Sequence, residues 1–444
     1  MEIKIYNTLS KKLEKFKPLD SKNVRIYVCG ATVNDVPHLG HAKQQISFDI
    51  LRKFLIFMGY GVKYVSNITD IEDKIIKKSN ELNIPINELT KKNEEIHKED
   101  YKKINVLAPD VQPHATKYIS EMIDLIERLE KKGFTYSIEG DGIYYDISKY
   151  KKYGSLSRQK IGDLQSGTRV KINENKKNPG DFVLWKFSKN DEPSWESPWG
   201  GGRPGWHIEC SAMSHSILGL PFDIHAGGQD LIFPHHEDEI AQSEAGYGEK
   251  MANYWMHNGM VNVNGEKMSK SLNNFKTIRE LLKAYSPMVI RYFVVSSHYR
   301  KPTDFSTNAL NDSKNSYERI KRLTLELKDD GKINKKSLEL FKKAMSEDLN
   351  TSKALAVVWE LLRDSSKNGK YQFIKKIDEV FCLDLLKEDN LLIPIEISVL
   401  AKDREKARKE KDWKKSDAIR DELLNKGWTI EDSSKGPKLN KKIN

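Results

Sequence analysis

The start of the chain carries a strand–helix–strand pattern that restricts the fold more than any other feature. Residues 24–28 form a short run of β-favouring side chains that ends at Cys29. Residues 41–58 then place apolar side chains at helical spacing, and a second strand-like run follows at 62–65 after a glycine-rich stop. Parallel strands need a crossover helix of this kind. We therefore predict an α/β fold with a parallel sheet, in which ligands bind at the carboxyl ends of the strands.

Changes of pattern divide the 444 residues into six predicted segments. An amphipathic run at 119–129 and a glycine-containing hairpin near 140–142 interrupt the sheet, and a strand-like run at 222–225 resumes it. Beyond residue 304 glycine and proline become rare, and apolar spacing predicts helices. The segments are the first half of a Rossmann-type catalytic domain (1–112), a connective insertion (113–195), the second half of the catalytic domain (196–266), a basic-loop region (267–305), an α-helical bundle (306–393) and a small C-terminal domain (394–444).

Composition limits the class of protein without deciding its function. Lysine and arginine total 75 against 64 acidic residues, a formal charge of +11. This excess suits a polyanionic partner such as nucleic acid, but solvated charged faces explain it equally well. The sequence has no apolar leader and no apolar run long enough to cross a bilayer, so we predict a soluble protein. Its three cysteines, an odd and sparse set, indicate the reducing cytosol. Metal binding is then the better use for two of the cysteines.

Four residues form a candidate metal site. They are Cys29, Cys210, His235 and Glu239. The second cysteine lies on a predicted helix at 206–218, and the last two residues lie four apart on a predicted helix at 234–245, where they share a face. Two thiolates, one imidazole and one carboxylate suit tetrahedral Zn²⁺, although buried apolar cysteines beside a polar helix would give the same pattern. His236, Glu237 and Asp238 crowd the same helix, so the sequence alone does not fix which histidine and which acid bind, but we expect His236 and Glu237 to point elsewhere.

Two short motifs suggest a site for phosphate. The first is His38-Leu39-Gly40-His41 and the second is Lys267-Met268-Ser269-Lys270-Ser271. The first begins a predicted helix, where backbone N–H groups, imidazoles and the helix dipole attract an anion. The second follows a strand-like run at 260–264 and brings two ammonium groups to one loop, which suits a triphosphate. Each motif alone is equally compatible with an ordinary loop whose side chains are solvated or satisfied locally.

Together these residues resemble the class I aminoacyl-tRNA synthetases, and specifically the bacterial-type cysteinyl-tRNA synthetases, along nearly the whole chain. The blocks that carry the resemblance are residues 29–41, 67–70, 202–213, 233–237 and 253–257. The block that contains Cys210 and the four candidate ligands are highly specific for this family, whereas the two phosphate motifs are shared by the class.

The resemblance implies an activity and a set of site residues. Cys29, Cys210, His235 and Glu239 would hold one zinc ion in the amino-acid pocket, where the substrate thiolate becomes a further ligand and serine is rejected. The implied pocket residues are Gly30, Thr32, Thr69, Trp206 and His225. The implied ATP-binding residues are His38, Gly40, His41, Lys267, Ser269 and Lys270. Of these, the two histidines and the two lysines would be catalytic, and Mg²⁺ would accompany ATP.

The same resemblance implies the partners ATP, L-cysteine and tRNA(Cys) for a cytoplasmic monomer. Residues 267–305 would contact the tRNA stem, and residues 394–444 would bind the anticodon. The sequence departs from the family at Ala31 and Asn34, near the mouth of the pocket, and it lacks the usual threonine–tryptophan ending. Two other functions remain open: a ligase that joins cysteine to an amino sugar, and a non-catalytic zinc protein that binds RNA.

Overall fold

The computed structural model describes residues 1–159, 174–189, 192–268, 274–388, 394–433 and 436–441. The strands are β1 (Lys4–Asn7), β2 (Lys12–Lys15), β3 (Asn23–Val28), β4 (Gly61–Ser66), β5 (Thr135–Ile138), β6 (Gly142–Tyr145), β7 (Phe182–Phe187), β8 (Gly202–Pro204), β9 (Phe222–Gly228), β10 (Ala252–Asn258), β11 (Val261–Val263), β12 (Glu266–Lys267), β13 (Thr303–Phe305), β14 (Trp428–Ser433) and β15 (Gly436–Lys441).

The helices are α1 (Leu39–Phe57), α2 (Asp73–Leu82), α3 (Ile86–Lys103), α4 (Ile119–Lys131), α5 (Trp206–Leu218), α6 (Glu237–Tyr247), α7 (Ile278–Ala284), α8 (Pro287–Val295), α9 (Thr307–Leu325), α10 (Lys335–Ser346), α11 (Thr351–Arg363), α12 (Lys370–Phe381), α13 (Ile395–Lys409) and α14 (Trp413–Asn425). Within the described ranges, none of these helices has both the length and the apolar character needed to span a bilayer.

A parallel sheet lies at the centre of the catalytic part, with strand order β10-β9-β3-β4. The helix α1 connects β3 to β4, as the strand–helix–strand pattern predicts, and the parallel α/β fold is confirmed. Tyr27 of β3 pairs in register with His225 of β9. This register brings the carboxyl ends of the two strands to one edge of the sheet, where Cys29 follows β3.

Apolar side chains of the sheet and of α1 form the core beneath that edge. Ile26 and Val28 of β3, and Ile46 and Phe54 of α1, are fully buried in one cluster. Each such side chain stabilises the fold by about 1.5–3 kcal/mol relative to its exposed state. The edge that carries the polar residues is therefore built on a rigid base.

The predicted insertion contributes a second sheet of antiparallel strands, β5-β6-β7-β8. The predicted hairpin near 140–142 is confirmed, because β5 pairs antiparallel with β6. The stretch 194–205 is rich in glycine and proline, which local composition would assign to a loop, but its residues Gly202–Pro204 form β8 against β7. Pairing with β7 stabilises this strand, although its local composition does not predict one.

Helices α9 to α12 form the predicted helical region, with Leu310, Ile320, Val358 and Phe373 buried in its interior. The predicted C-terminal segment begins with two helices, α13 and α14. A hairpin that the sequence analysis did not predict follows them, in which β14 pairs antiparallel with β15. The boundaries of the predicted domains remain predictions.

Candidate metal and nucleotide site

Four elements bring the candidate metal ligands to the carboxyl edge of the central sheet. Cys29 follows β3, Cys210 lies on α5, His235 precedes α6, and Glu239 lies in the first turn of α6. Each of the four is at most 2% exposed. A thiol, an imidazole or a carboxylate that is buried this deeply needs a partner, so their proximity requires a chemical explanation.

The ligand atoms of these four residues all lie within 4.8 Å of one another. The two sulfur atoms are 3.6 Å apart, and Glu239 Oε1 lies 3.4 Å from Cys29 Sγ and 3.0 Å from His235 Nε2. A tetrahedral ion with metal–sulfur bonds of about 2.3 Å would separate two sulfur ligands by about 3.8 Å. The spacing of these donors therefore fits a zinc-sized ion.

A second overlapping set of donors occurs at the same place. Cys29 and Glu239 also group with His225 and His236 within 4.8 Å. The resemblance placed His225 in the substrate pocket, and the structure places its Nε2 3.4 Å from Cys29 Sγ and 3.1 Å from Glu239 Oε2. This histidine therefore faces the metal cluster itself, and its role towards a substrate stays a prediction.

The expectation that His236 points away from the cluster is wrong. Its Nε2 lies 3.9 Å from Glu239 Oε1. His236 has helical angles, φ −71° and ψ −29°, and lies three residues before Glu239, so the two side chains share a helix face. By contrast, Glu237 does point elsewhere, because its carboxylate accepts backbone N–H groups of the insertion.

Burial sets the protonation of the cluster. It raises the pKa of the thiols of Cys29 and Cys210, and it holds the pKa of His235 and His236 well below the usual value. The imidazoles are therefore neutral, with lone pairs available. His236 Nε2 is buried without a hydrogen-bond partner among the described residues. A divalent cation would satisfy such atoms and favour the thiolates over the thiols.

A chain of polar groups behind His235 fixes its ring. His235 Nδ1 lies 3.0 Å from His207 Nδ1, and His207 Nε2 lies 3.5 Å from a carboxylate oxygen of Asp238. Tyr153 donates its hydroxyl to the same carboxylate. If Asp238 accepts from His207, the proton on His235 sits on Nδ1 and its Nε2 stays available to a metal. The sequence analysis missed His207 and Asp238 as supporting groups, although both lie beside predicted ligands.

The predicted amino-acid pocket residues lie around this cluster. Trp206 stacks on His235 with ring centroids 4.1 Å apart. Thr69 forms a β-bridge with Thr32 and donates its hydroxyl to Glu209 at 2.6 Å. Burial raises the pKa of Glu209 well above its usual value.

Glycine is required at position 30. The Gly30 N–H donates to Asn67 Oδ1 at 2.8 Å, and a Cβ at Gly30 would lie 1.6 Å from the Asn67 carbonyl oxygen. Asn67 also lies 3.6 Å from the sulfur of Cys210. This close contact joins the loop after β3 to the loop after β4, on which Thr69 stands.

The first phosphate motif begins α1 as predicted, but its hydrogen bonds differ from the expected ones. His38 caps the helix: its Nδ1 accepts the backbone N–H groups of Gly40 and His41. His41 Nδ1 accepts the N–H of His38 at 3.3 Å. Those backbone groups are therefore engaged within the motif. Because each Nδ1 accepts, each neutral ring carries its proton on Nε2, which makes the two stacked rings donors for a phosphate.

The second phosphate motif is only partly described. Strand β12 ends at Lys267, and a Cβ added at Gly40 would lie 3.5 Å from the Met268 methyl carbon. The predicted residues Ser269 and Lys270 lie outside the described ranges. Beyond them, the Leu39 N–H donates to the Lys276 carbonyl at 3.0 Å. The segments on both sides of the second motif thus contact the start of α1.

Comparison with known proteins supports this arrangement over the whole chain. A family model described as tRNA synthetases class I (C) catalytic domain matches residues 15–315. A DALR domain matches residues 340–381, and a cysteinyl-tRNA ligase anticodon binding domain matches residues 393–437. The anticodon-domain match argues against an amino-sugar ligase, and the catalytic-domain match argues against a non-catalytic protein.

Relatives and solved structures agree. The cysteine–tRNA ligase of Thermodesulfovibrio yellowstonii is 44% identical, with 97% of this chain and 98% of that protein covered. That of Finegoldia magna is 46% identical, with 98% of each covered. The Mycobacterium tuberculosis methionyl-tRNA synthetase with methionyl-adenylate shares the fold, with a TM-score of 0.60 at 15% identity over 82% of this chain and 90% of that one. The chain belongs to the cysteinyl-tRNA ligase family of class I aminoacyl-tRNA synthetases.

Proposed function

We propose that this protein activates L-cysteine with ATP to form cysteinyl-adenylate and then transfers the cysteinyl group to the 3′ end of tRNA(Cys). The observation that carries the proposal is the buried cluster of two thiols, one imidazole and one carboxylate at the carboxyl edge of the sheet. A metal held by such donors beside the amino-acid pocket would favour a substrate with a thiolate over one with a hydroxyl.

The proposed zinc ligands are Cys29, Cys210, His235 and Glu239. Bound Zn²⁺ would supply a site that binds the thiolate of cysteine far better than the hydroxyl of serine. The residues around it prepare the pocket: Trp206 covers His235 on one side, and burial keeps the imidazoles neutral. Because a serine hydroxyl cannot replace a thiolate here, discrimination needs no separate editing step.

The proposed nucleotide site lies at the start of α1. His38 and His41 can each donate from Nε2 to phosphate oxygens of ATP, and the helix dipole favours the same charge. Mg²⁺ bound with ATP would balance further negative charge. Lys267, Ser269 and Lys270 stay predicted contacts to the phosphates. No protein nucleophile is required, since the carboxylate of cysteine attacks the α-phosphate and pyrophosphate leaves, so catalysis depends on positioning and charge stabilisation.

The transfer step assigns a role to the C-terminal part. We propose that residues 394–444 bind the anticodon stem and loop, and that residues 267–305 contact the tRNA stem. Residues 394–444 hold 14 basic and 10 acidic side chains, and the Arg408 guanidinium carbon lies 5.5 Å from the centre of the Trp413 ring. We propose that the protein acts as a monomer in the cytoplasm. A reducing compartment suits the reaction, because the two cluster thiols must stay free of a disulfide to bind zinc.

Pyrophosphate exchange into ATP, measured with cysteine, with serine and without amino acid on protein of known zinc content, tests the proposal. We expect exchange with cysteine only, at about one zinc per chain. Charging of tRNA(Cys) then tests the second step. Folded, zinc-loaded protein without cysteine-dependent exchange would overturn the proposed activity. Exchange without tRNA charging would retain the activation step and overturn the transfer step.

A further inference from the structure

Lys43 is a buried lysine that neither the metal cluster nor the phosphate motifs include. It lies on α1, two residues after His41, and is 1% exposed. Its Nζ donates to the carbonyl oxygens of Met260 at 3.3 Å and Lys301 at 2.5 Å, and to the hydroxyl of Thr303 at 2.8 Å. Among the side chains that the structure describes, no carboxylate lies within ion-pair distance of it.

Burial of a lysine ammonium group costs free energy, and hydrogen bonds to the buried group offset that cost. Burial lowers the pKa of Lys43 to about 7, because the charged form loses its hydration. Three oxygen acceptors match the three N–H groups of an ammonium and oppose that shift. A methionine would fill similar space without the desolvation cost. What lysine adds at this position is therefore the three hydrogen bonds.

The three acceptors belong to the base of one small sheet. Met260 immediately precedes β11, and Thr303 is the first residue of β13. Strand β11 pairs with β13 in parallel and with β12 antiparallel. Strand β12 ends at Lys267, the first residue of the second phosphate motif. The ammonium of Lys43 thus binds the sheet that carries Lys267.

The segments that Lys43 joins are packed closely. The Gly259 N–H donates to the carbonyl of Tyr299 at 2.9 Å, and a Cβ at Gly259 would lie 2.5 Å from the Lys301 carbonyl. The backbone at this crossing cannot shift without breaking contacts on both sides. The hydrogen bonds of Lys43 therefore fix the position of the β11–β12–β13 sheet relative to α1.

We propose that Lys43 is a positioning residue for the nucleotide site: it fixes the β11–β12–β13 sheet, and with it Lys267, relative to His38 and His41. This inference rests on the proposed function, since it requires both phosphate motifs to act on one ATP. A displacement of about 1 Å between catalytic groups can slow a reaction by about 100-fold. The cysteine pocket is built on β3, β9 and α5, which Lys43 does not contact through Nζ.

Lys43→Met tests the inference, with Lys53→Met as its matched control. Lys53 lies on the same helix and is largely buried, but its Nζ contacts Asp49 at 2.8 Å and the Asn105 carbonyl at 2.9 Å, away from the sheet. We expect Lys43→Met to lower kcat of pyrophosphate exchange by about 10- to 100-fold, with zinc content and the KM for cysteine unchanged. Lys53→Met should lower thermal stability and leave kcat near the wild-type value. Lys43→Arg, which restores donors, should recover part of kcat.

The outcomes separate this inference from the proposed function. Wild-type protein without cysteine-dependent exchange would overturn both. If the wild type is active, two results would overturn the inference alone. One is an unchanged kcat in Lys43→Met, and the other is an equal loss of kcat in Lys43→Met and in the Lys53→Met control. If Lys43→Met does not fold, Thr303→Val carries the test with Ser297→Ala as its control, because the Thr303 hydroxyl accepts from Lys43 and also lies 3.2 Å from the Ser297 hydroxyl. We then expect a smaller fall in kcat at constant KM for cysteine, and an unchanged kcat would refute the role of Lys43.

Discussion

Replacing Cys210 by serine should weaken zinc binding strongly and spare the fold. Cys210 supplies one of the four donors that lie within 4.8 Å of one another. Structural zinc sites of four ligands bind with about 10–16 kcal/mol, so one ligand contributes about 2.5–4 kcal/mol. At about 1.4 kcal/mol per tenfold, the zinc affinity should fall roughly 60- to 700-fold. The serine hydroxyl is similar in size to the thiol, so little packing is lost.

Competition with a chromophoric zinc chelator measures this affinity, and pyrophosphate exchange measures its consequence. We expect Cys210→Ser to lose zinc at chelator concentrations that the wild type tolerates, and to lose cysteine-dependent exchange. Cys382→Ser is the matched control. This third cysteine ends α12, and its sulfur lies 3.6 Å from the Glu379 carbonyl, outside the cluster. Its replacement should leave zinc affinity and exchange unchanged.

Wild-type zinc affinity in Cys210→Ser would refute the assignment of the first donor set. The second set, in which His225 and His236 accompany Cys29 and Glu239, would then hold the metal. Removal of His236 would separate the two cases, because only the second set requires it. A loss of affinity shared equally by Cys210→Ser and Cys382→Ser would instead indicate a general loss of folding.

Three further predictions concern the protons, the insertion and the C-terminal domain. Because burial raises the pKa of both cluster thiols, zinc binding to the apo protein at pH 7 should release about two protons and strengthen with rising pH. Calorimetry in buffers of different ionisation enthalpy measures the number of protons released, and zero release would contradict the prediction. Glu237→Gln should destabilise the catalytic part by about 2–4 kcal/mol, since it weakens charge-assisted hydrogen bonds from backbone N–H groups. Denaturant unfolding measures this loss, and an unchanged unfolding midpoint would contradict it. Removal of residues 394–444 should retain cysteine-dependent exchange and impair tRNA charging, and undiminished charging would exclude a role for these residues in tRNA binding.

Sequence reasoning succeeded where a local pattern determines the element. The run before Cys29 and the apolar spacing of α1 predict a parallel α/β unit, because a strand followed by a helix and a second strand has few other solutions. The same holds for α5, whose predicted bounds match the observed Trp206–Leu218. The four predicted ligands lie together because each follows from such an element.

It failed where distant segments decide the geometry. The approach of His225 to Glu239 depends on the register of β9 against β3, which no local pattern encodes. The pairing of β14 with β15 likewise joins Trp428 and Ile430 to Leu439 in one apolar cluster, although the second segment is mostly polar. Contacts of this kind are set by tertiary packing, so only the structure reveals them.

The three consecutive acids that open α6 contact three different sets of groups. Successive helix residues differ by about 100° in direction, so three neighbours cannot share one partner. Glu237 accepts backbone N–H groups of Gly154, Leu156 and Ser157, and Asp238 accepts the hydroxyl of Tyr153. Both thereby fasten the insertion to the helix. Glu239 alone faces the thiols and imidazoles, and within the described residues its only near neighbours there are groups that are themselves metal donors. Among the described residues its buried carboxylate has no Lys or Arg partner, and a divalent ion in the cluster would supply the missing positive charge.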